Sequence, residues 1–529
     1  MVRMINVIDI FAGPGGLSEG FTSYINLKGE NIFNIVMSIE KEHYAFETLK
    51  LRTFFREFAG KPPKEYYDFI RGEISINELF NLFPKEAENA SKKVWMVGLG
   101  PSGASVSEIR KKVLPTLGND STTVLIGGPP CQAYSLVGRS RNSGNKNYNP
   151  ENDERQRLYV EYLQFLADYT PAVFVMENVK GIISAKLGEK EIFRLILNDL
   201  QYPSIALEKE GRDLLVHPNA EYRIFSLKTG LLLNENNMRD AVIRAENYGV
   251  PQTRHRVFLL GIRSDLPVTS IIPLKKTKTV PISSVISDLP PIRSGLSEKP
   301  DSDIAWKDIF HSQLKSNWIA GNSDKNYRES LHSNMKEYLC KINPPKLGKG
   351  GEFISASVGT EYNSSWYNDK NLSGVCNHIS RNHLDADLFR YFFAACYAEI
   401  YETSPKLKDF PKDLLPNHAS VGEALTGNGN FSDRFRVQIS NLPGKTVVSH
   451  ISKDGHYFIH PDPMQCRSLT VREVARIQTF PDNYFFCGPR TAQYVQVGNA
   501  VPPFLAKQIA EIIDDIFNQA VKGAINIKI

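Results

Sequence analysis

Alternating strand and helix patterns constrain the fold of this chain more than any other sequence feature. The apolar runs with the length and β-branched content of buried strands are residues 5–11, 32–39, 94–99, 122–126, 173–176 and 257–262. Between such runs apolar residues recur at helical spacing, as at Leu158, Tyr162 and Phe165. Strands that alternate with helices predict an α/β fold, in which a doubly wound, mostly parallel sheet carries helices on both faces. For the charged stretch 60–93 we expect one or two surface helices outside the core.

Four of the apolar runs end in an unusual group of residues. These groups are residues 11–16 (FAGPGG), Glu40, residues 127–132 (GGPPCQ) and residues 177–178 (EN). The carboxyl ends of the strands form the ligand crevice of an open parallel sheet, so we expect the four groups to converge. The sequence therefore predicts one ligand site at this edge of the sheet.

Composition excludes several classes of protein. The chain has 529 residues, of which 41% are hydrophobic and 23% charged, which predicts a globular protein of more than one domain. A net charge of +5 excludes a strongly basic coat protein of nucleic acid, although it allows a local basic groove. Six cysteines without a C-x-x-C pair predict neither a disulfide framework nor a metal site. No apolar stretch reaches about 18 residues, so we expect a cytoplasmic protein without membrane contact.

The glycine-rich turn after the first strand is suited to an adenosine-type ligand. Gly13, Gly15 and Gly16 allow a ligand to approach a helix N-terminus closely. Ser18 occupies the third glycine position of G-x-G-x-x-G, and no phosphate-binding G-x-x-x-x-G-K-[ST] follows, which disfavours dinucleotides and nucleoside triphosphates. Glu40 closes the next strand, where an acidic residue binds ribose hydroxyls in such folds. The alternative for Glu40 is a solvated carboxylate that opens a helix.

Cys131 is the candidate nucleophile. Pro129 and Pro130 fix the backbone directly before it, at the end of a buried strand, and a thiol on so rigid a loop suits nucleophilic attack. Packing as a small hydrophobic side chain is the alternative, because buried cysteine is common. The cysteines that lack such a setting, and that we expect to pack, are at positions 340, 376, 396, 466 and 487.

The segments DIFAGPGGLSEGF and GGPPCQ together resemble the cytosine-5 DNA methyltransferase family. Later segments match further motifs of the family in order: ENV at 177–179, Q-x-R-x-R at 252–256, R-x-L-T-x-R-E-x-x-R-x-Q-x-F-P-D at 467–482 and G-N-x-V-P-P at 498–503. The matches extend from residue 9 to about 510. The resemblance implies a methyltransferase-type sheet and an enzyme that methylates carbon 5 of cytosine within a specific double-stranded DNA sequence, using S-adenosylmethionine.

The resemblance also assigns roles at the reacting base, which must first swing out of the duplex. Cys131 would attack carbon 6 and form a covalent adduct, and Glu177 would bind ring nitrogen 3 and the exocyclic amine. Arg254 and Arg256 would support the flipped base, the nearby phosphate and the thiolate. By residue type alone, Glu177 could instead cap a helix and the two arginines could be solvated.

The same resemblance implies a donor site. The residues that would hold S-adenosylmethionine are Phe11, Gly13, Pro14, Gly15, Leu17, Glu40, Pro129, Asn499 and Ala500. The family often places an acidic residue after the third strand to bind the adenine amine. This sequence has VWMVGLGPSGASVSEI there, so a backbone carbonyl is the alternative partner.

Motif order predicts the domain organisation and the partners. Residues 1–265 and 465–529 would form one discontinuous catalytic domain, and residues 266–464 a variable region with a smaller, inserted target-recognition domain. The loop 133–157 is rich in Ser, Asn, Gly and Arg, which suits closure over DNA. The expected partners are double-stranded DNA and a cognate restriction endonuclease acting on the same sequence, and a monomer suffices to flip one base.

Two other functions are compatible with parts of the sequence. A tRNA cytosine-5 methyltransferase would share the chemistry, but the long variable region favours DNA as the substrate. A catalytically silent DNA-binding relative would share the fold, but the intact set of Cys131, Glu177, Arg254 and Arg256 argues for catalysis.

Overall fold

The computed structural model describes residues 4–117, 122–130, 154–187, 190–215, 220–320, 329–417, 421–425 and 432–526. Its centre is an eight-stranded sheet. The strands are β1 (Ile5–Ile10), β2 (Phe33–Glu40), β3 (Val94–Met96), β4 (Thr123–Gly127), β5 (Val173–Val179), β6 (Tyr222–Phe225), β7 (Val242–Arg244) and β8 (His255–Arg263). Their order is β3-β2-β1-β4-β5-β8-β6, with β7 also paired to β8. Strands β1 to β5 are parallel and β8 is antiparallel, which confirms the mostly parallel sheet.

Helices cover both faces of this sheet. The helices of five or more residues are α1 (Gly16–Thr22), α2 (His43–Glu57), α3 (Lys64–Ile70), α4 (Ile76–Leu82), α5 (Pro84–Lys93), α6 (Val106–Leu117), α7 (Glu154–Tyr169), α8 (Ile192–Gln201), α9 (Pro203–Lys209), α10 (Asp303–His311), α11 (Glu329–Lys341), α12 (Asp385–Tyr401), α13 (Val421–Leu425), α14 (Val471–Ile477), α15 (Arg490–Asn499) and α16 (Pro503–Asn526). Within the described ranges, none of them is both long and apolar enough for a membrane crossing.

Neighbouring residues of β1 belong to two separate cores, as side-chain alternation along a strand requires. Val7 packs with Phe21 of α1 and Ile509 of α16, whereas Ile8 packs on the other face with Phe165 of α7. The last helix therefore completes the core beneath the first strand.

The charged stretch 60–93, which precedes β3, differs from the expectation of one or two surface helices. It forms three helices, α3 to α5, and their apolar residues are part of a core rather than a surface decoration. Tyr66 and Leu79 are fully buried in one cluster with Phe54 of α2. The expectation was wrong because the many charged residues of this stretch suggest a solvent-exposed surface. Its aromatic residues are buried only through their packing against α2 in the folded chain.

The variable region contains its own clusters of buried residues. Trp306 and Phe310 of α10 pack with Phe392 of α12. An antiparallel hairpin joins β9 (Gly350–Ser355) to β10 (Gly374–Ile379). The domain limits drawn from the motifs stay a prediction.

Candidate active site

A cavity of about 460 Å³ lies at the carboxyl ends of β1, β2, β4 and β5. All four residue groups that the sequence analysis expected to converge contribute to its wall. The predicted residues that line it are Phe11, Gly13, Pro14, Leu17, Glu40, Pro129, Glu177, Arg254, Arg256, Asn499 and Ala500. Ala12, Gly16 and Asn178 of the converging groups also line it, and the lining residues that sequence reasoning did not nominate include Val97, Leu99, Leu158, Gln496 and Val501.

The carboxylate of Glu40 binds the turn after β1. Its Oε2 accepts a hydrogen bond from the Gly13 N–H at 2.8 Å, and its Oε1 accepts from the N–H groups of Lys41 and Glu42 at 2.9 and 2.8 Å. Burial raises the pKa of Glu40, while these N–H groups oppose that rise. No heavy atom lies within 4 Å of the position a Gly13 Cβ would take, so this turn presents free space to a ligand.

The other two glycines of the turn serve packing. A Cβ on Gly15 would lie 2.7 Å from Cδ1 of Leu49, and one on Gly16 would lie 2.2 Å from the carbonyl oxygen of Val501. Gly15 does not line the cavity, although the resemblance placed it at the donor. These two glycines let α1 begin tightly against α2 and the segment after α15.

The end of the cavity next to β3 has an apolar wall. Val97 and Leu99 line it where the family often has an acidic residue, and the N–H of Val97 donates to the carbonyl of Glu40 at 3.1 Å. Phe11 adopts a left-handed backbone with φ of 55°, which is uncommon outside glycine and concentrates at functional sites. An apolar wall beside the Glu40 carboxylate is suited to the adenosine-type ligand that the sequence predicts.

Glu177 and Arg256 form an ion pair on the opposite wall. Nε of Arg256 lies 3.1 Å from Oε1 of Glu177, and both side chains are largely buried. The strands β5 and β8 carry the pair as close neighbours across the ladder. A Cβ on Gly128 would lie 3.0 Å from Oε2 of Glu177, so a larger residue there would crowd this carboxylate where it meets the GGPP loop.

Arg254 is placed differently from Arg256. Its guanidinium is buried and donates to the carbonyl oxygens of Val447 at 2.7 Å and Gly498 at 3.3 Å. Burial, with help from Arg256, holds the pKa of Arg254 below its usual range. These contacts join β8 to the end of α15, which the sequence could not indicate because the partners are remote backbone atoms.

Cys131 lies outside the described residues, as does most of the loop 133–157. The residues before it, Pro129 and Pro130, line the cavity. Asn178 supports that approach, because its Nδ2 donates to the carbonyl of Pro129 at 3.2 Å. The sequence did offer a signal for Asn178, because this residue stands next to Glu177 in the ENV motif. In the part of the chain that the structure covers, no cluster of three His, Cys, Asp or Glu residues is arranged to bind a metal ion.

Comparison with known proteins identifies the class first from the fold. A solved structure described as a DNA modification methyltransferase encoded within a prophage (E. coli) matches over 97% of this chain and 99% of its own. The TM-score is 0.50 at 19% sequence identity, a likeness that concerns the fold alone. The fold is that of S-adenosylmethionine-dependent methyltransferases, as expected.

Sequence comparison then gives the family. The model of the C-5 cytosine-specific DNA methylase family matches residues 100–202 and 236–515. A type II methyltransferase of Bacillus paralicheniformis, M.Bpa9945I, is 32% identical over 97% of this chain and 99% of its own. Another, M.DdeI of Desulfomicrobium norvegicum, is 27% identical over 97% of this chain and 89% of its own. The chain belongs to the C-5 cytosine-specific DNA methylase family and is a DNA (cytosine-5) methyltransferase.

Proposed function

We propose that the protein methylates carbon 5 of cytosine within a specific double-stranded DNA sequence, as the modification enzyme of a type II restriction–modification system. The observation that carries this proposal is the single cavity that collects motif residues from Phe11 to Ala500, with the Glu177–Arg256 pair on its wall. The relatives named type II methyltransferases support the biological setting. A cognate endonuclease for the same sequence and action as a monomer belong to the proposal.

S-adenosylmethionine is the donor that family membership implies, and it supplies an electrophilic methyl group when bound. In the proposal Oε2 of Glu40 accepts from a ribose hydroxyl, because it has a second lone pair beyond its contact with Gly13, whereas Oε1 already accepts two N–H groups. The open space beside Gly13 receives the methionine part, and Phe11 packs against the adenine. Pro14, Leu17, Pro129, Asn499 and Ala500 complete the wall.

The proposed chemistry starts with the thiolate of Cys131, which bonds to carbon 6 of the flipped cytosine and pushes electron density onto carbon 5. Glu177 donates a proton to ring nitrogen 3, which neutralises the negative charge that this attack places on the ring, and it accepts from the exocyclic amine. Arg256 fixes the Glu177 carboxylate through Oε1 and leaves Oε2 at the wall near Gly128. Carbon 5 then takes the methyl group of the bound donor as the methyl–sulfur bond breaks, which leaves S-adenosylhomocysteine. Water accepts the carbon 5 proton, Glu177 regains the proton from ring nitrogen 3, and breakage of the carbon 6–sulfur bond releases the Cys131 thiolate.

Bisulfite sequencing of plasmid DNA from a host that expresses the protein tests this function. We expect 5-methylcytosine at one recurring sequence. Cys131→Ala should abolish the mark and retain DNA binding, whereas Cys340→Ala, which changes an exposed cysteine, should leave the mark intact. Unmethylated plasmid from a folded, abundant protein would contradict the proposal and favour the tRNA-directed or catalytically silent alternative.

A trapping experiment tests the covalent step separately. DNA that carries 5-fluorocytosine at the methylated position should form a stable adduct with the wild-type enzyme, because fluorine cannot leave as the carbon 5 proton does. Cys131→Ala should form none. An active enzyme that is never trapped would contradict the covalent mechanism while leaving the methylation itself established.

A further inference from the structure

The carboxylate of Asp369, in the variable region, is bound by two segments that are remote in the chain. Its Oδ2 accepts from the Tyr67 hydroxyl at 2.7 Å and from Nδ2 of Asn483, also at 2.7 Å. Its Oδ1 accepts from the N–H of Asn371 at 2.9 Å, which fixes the orientation of the carboxylate. Tyr67 belongs to α3 and Asn483 follows α14, so one side chain joins three parts of the chain.

Asp369 itself is half-buried and lies beside a buried apolar cluster. Leu372 and Cys376 of the variable region share one cluster with Tyr66 and Ile70 of α3. Burial, and then the hydrogen bond to Asp369, raise the pKa of Tyr67, so its hydroxyl keeps its proton and remains a donor. A charge-assisted hydrogen bond in such a setting is strong and costly to break.

A second set of contacts connects Asn483 to α1, which follows the donor turn. Asp369 takes no part in these contacts. Oδ1 of Asn483 accepts from Nη1 of Arg52 at 3.0 Å. Arg52 also binds Glu19 of α1 through Nε at 2.9 Å and Nη2 at 2.6 Å. Because two bonds hold Arg52 to Glu19 directly, loss of Asp369 should leave α1 and the donor turn in place.

We propose that Asp369 is a positioning residue that fixes the variable region against the α3–α5 insertion and thereby sets the DNA-reading surface over the cavity. The inference rests on the proposed function, because it requires the variable region to bind DNA. The α3–α5 insertion would then be the platform for the variable region. The part of the variable region that carries the β9–β10 hairpin packs against it.

Steady-state kinetics of Asp369→Ala and Tyr67→Phe test the proposal. We expect KM for target DNA to rise about tenfold in Asp369→Ala, as for loss of a charge-assisted contact, and by less in Tyr67→Phe. The kcat and KM for S-adenosylmethionine should stay within about twofold of wild type. The two changes should be non-additive in the double variant, because they remove the same bond.

Tyr338→Phe is the matched control. The Tyr338 hydroxyl also donates to a carboxylate, Glu399 Oε1 at 2.8 Å, but both partners lie within the variable region. This variant should leave all three kinetic constants unchanged. An unchanged KM for DNA in Asp369→Ala, or an equal rise in KM for the donor, would overturn the positioning role.

Amide hydrogen exchange separates failure of this inference from failure of the proposed function. In Asp369→Ala we expect faster exchange both in β10 and in α3, whether or not DNA is the substrate. Wild-type protein that methylates no DNA, with this exchange change present, would sink the proposed function alone. Unchanged exchange in both segments would sink the positioning role alone.

Discussion

The two sides of the cavity differ in the chemical groups that form them. The proposed donor side is built around the Glu40 carboxylate, which accepts from the Gly13 N–H of the turn after β1 and from the N–H groups of Lys41 and Glu42 after β2. The base side is a pair of side chains, Glu177 and Arg256, held by adjacent strands. In the proposed function the donor side binds the same ligand whatever the DNA sequence. The base side depends on the identity of each side chain, because the chemistry acts through them.

The largest effect should come from the base side. Glu177→Gln keeps the shape of the side chain but removes its charge and its capacity to exchange a proton, so kcat should fall about 10²- to 10⁴-fold. KM for S-adenosylmethionine should change little. Rates of methyl transfer from labelled donor measure both, with the exposed Glu208→Gln as control. A kcat within threefold of wild type would remove Glu177 from the chemistry.

The donor side should respond in the opposite way. Glu40→Ala removes three backbone contacts and the ribose acceptor, so KM for S-adenosylmethionine should rise about 10- to 100-fold. The kcat at saturating donor should stay within about threefold of wild type. Glu40→Gln keeps an oxygen for the Gly13 N–H and should be less affected. A collapse of kcat with unchanged KM would erase the contrast between the two sides.

Arg254 tests which residues of the cavity act in the chemistry and which only stabilise the fold. Arg254→Met removes the donors to Val447 and Gly498, and the unpaired carbonyls should lower the free energy of unfolding by about 1–3 kcal/mol. Denaturant unfolding monitors this change, and the residual activity should follow the folded fraction. Unaltered stability with a hundredfold loss of kcat would place this guanidinium in the chemistry, as its motif suggests.

The smallest effect concerns a buried carboxyl under the donor turn. Burial raises the pKa of Asp9 to about 7, and the nearby Ser18 and Arg56 only partly oppose this rise. Its contribution to stability is therefore full below about pH 4, where the unfolded chain also holds the proton, and is lost as the pH rises through about 7. The midpoint of thermal unfolding should fall over this window in wild type and less in Asp9→Asn. Equal slopes in the two proteins would contradict this origin.

Glu19 provides the contrasting case ten residues along the chain. Burial alone would raise its pKa, but Arg52 and Arg56 lower the pKa to about 2. Its contribution is present at neutral pH and is lost only in strong acid. The two buried acids of the first motif therefore impose opposite pH dependences on one turn.

Features that depend on neighbours in the sequence could be predicted from it. The strand ends and the convergence of their residue groups followed from apolar runs and from the geometry of parallel sheets. The distinction between Gly13, which faces the cavity, and Gly15, which packs on Leu49, could not, because it depends on residues elsewhere in the chain. The same holds for Arg254, whose partners at Val447 and Gly498 come from remote segments.

The packing of α16 beneath β1 has a consequence for synthesis of the chain. A Cβ on Gly20 of α1 would lie 2.4 Å from Cβ of Ala506, so the first and last helices meet with no room between them. Val7 and Phe21 stay uncovered on a ribosome until Ile509 and Phe517 have been made. Since a chain emerges from the ribosome with its N-terminus first, the proposed donor site should be assembled only after α16 has been synthesised, and a chain terminated before α16 should not compete for the methyl donor.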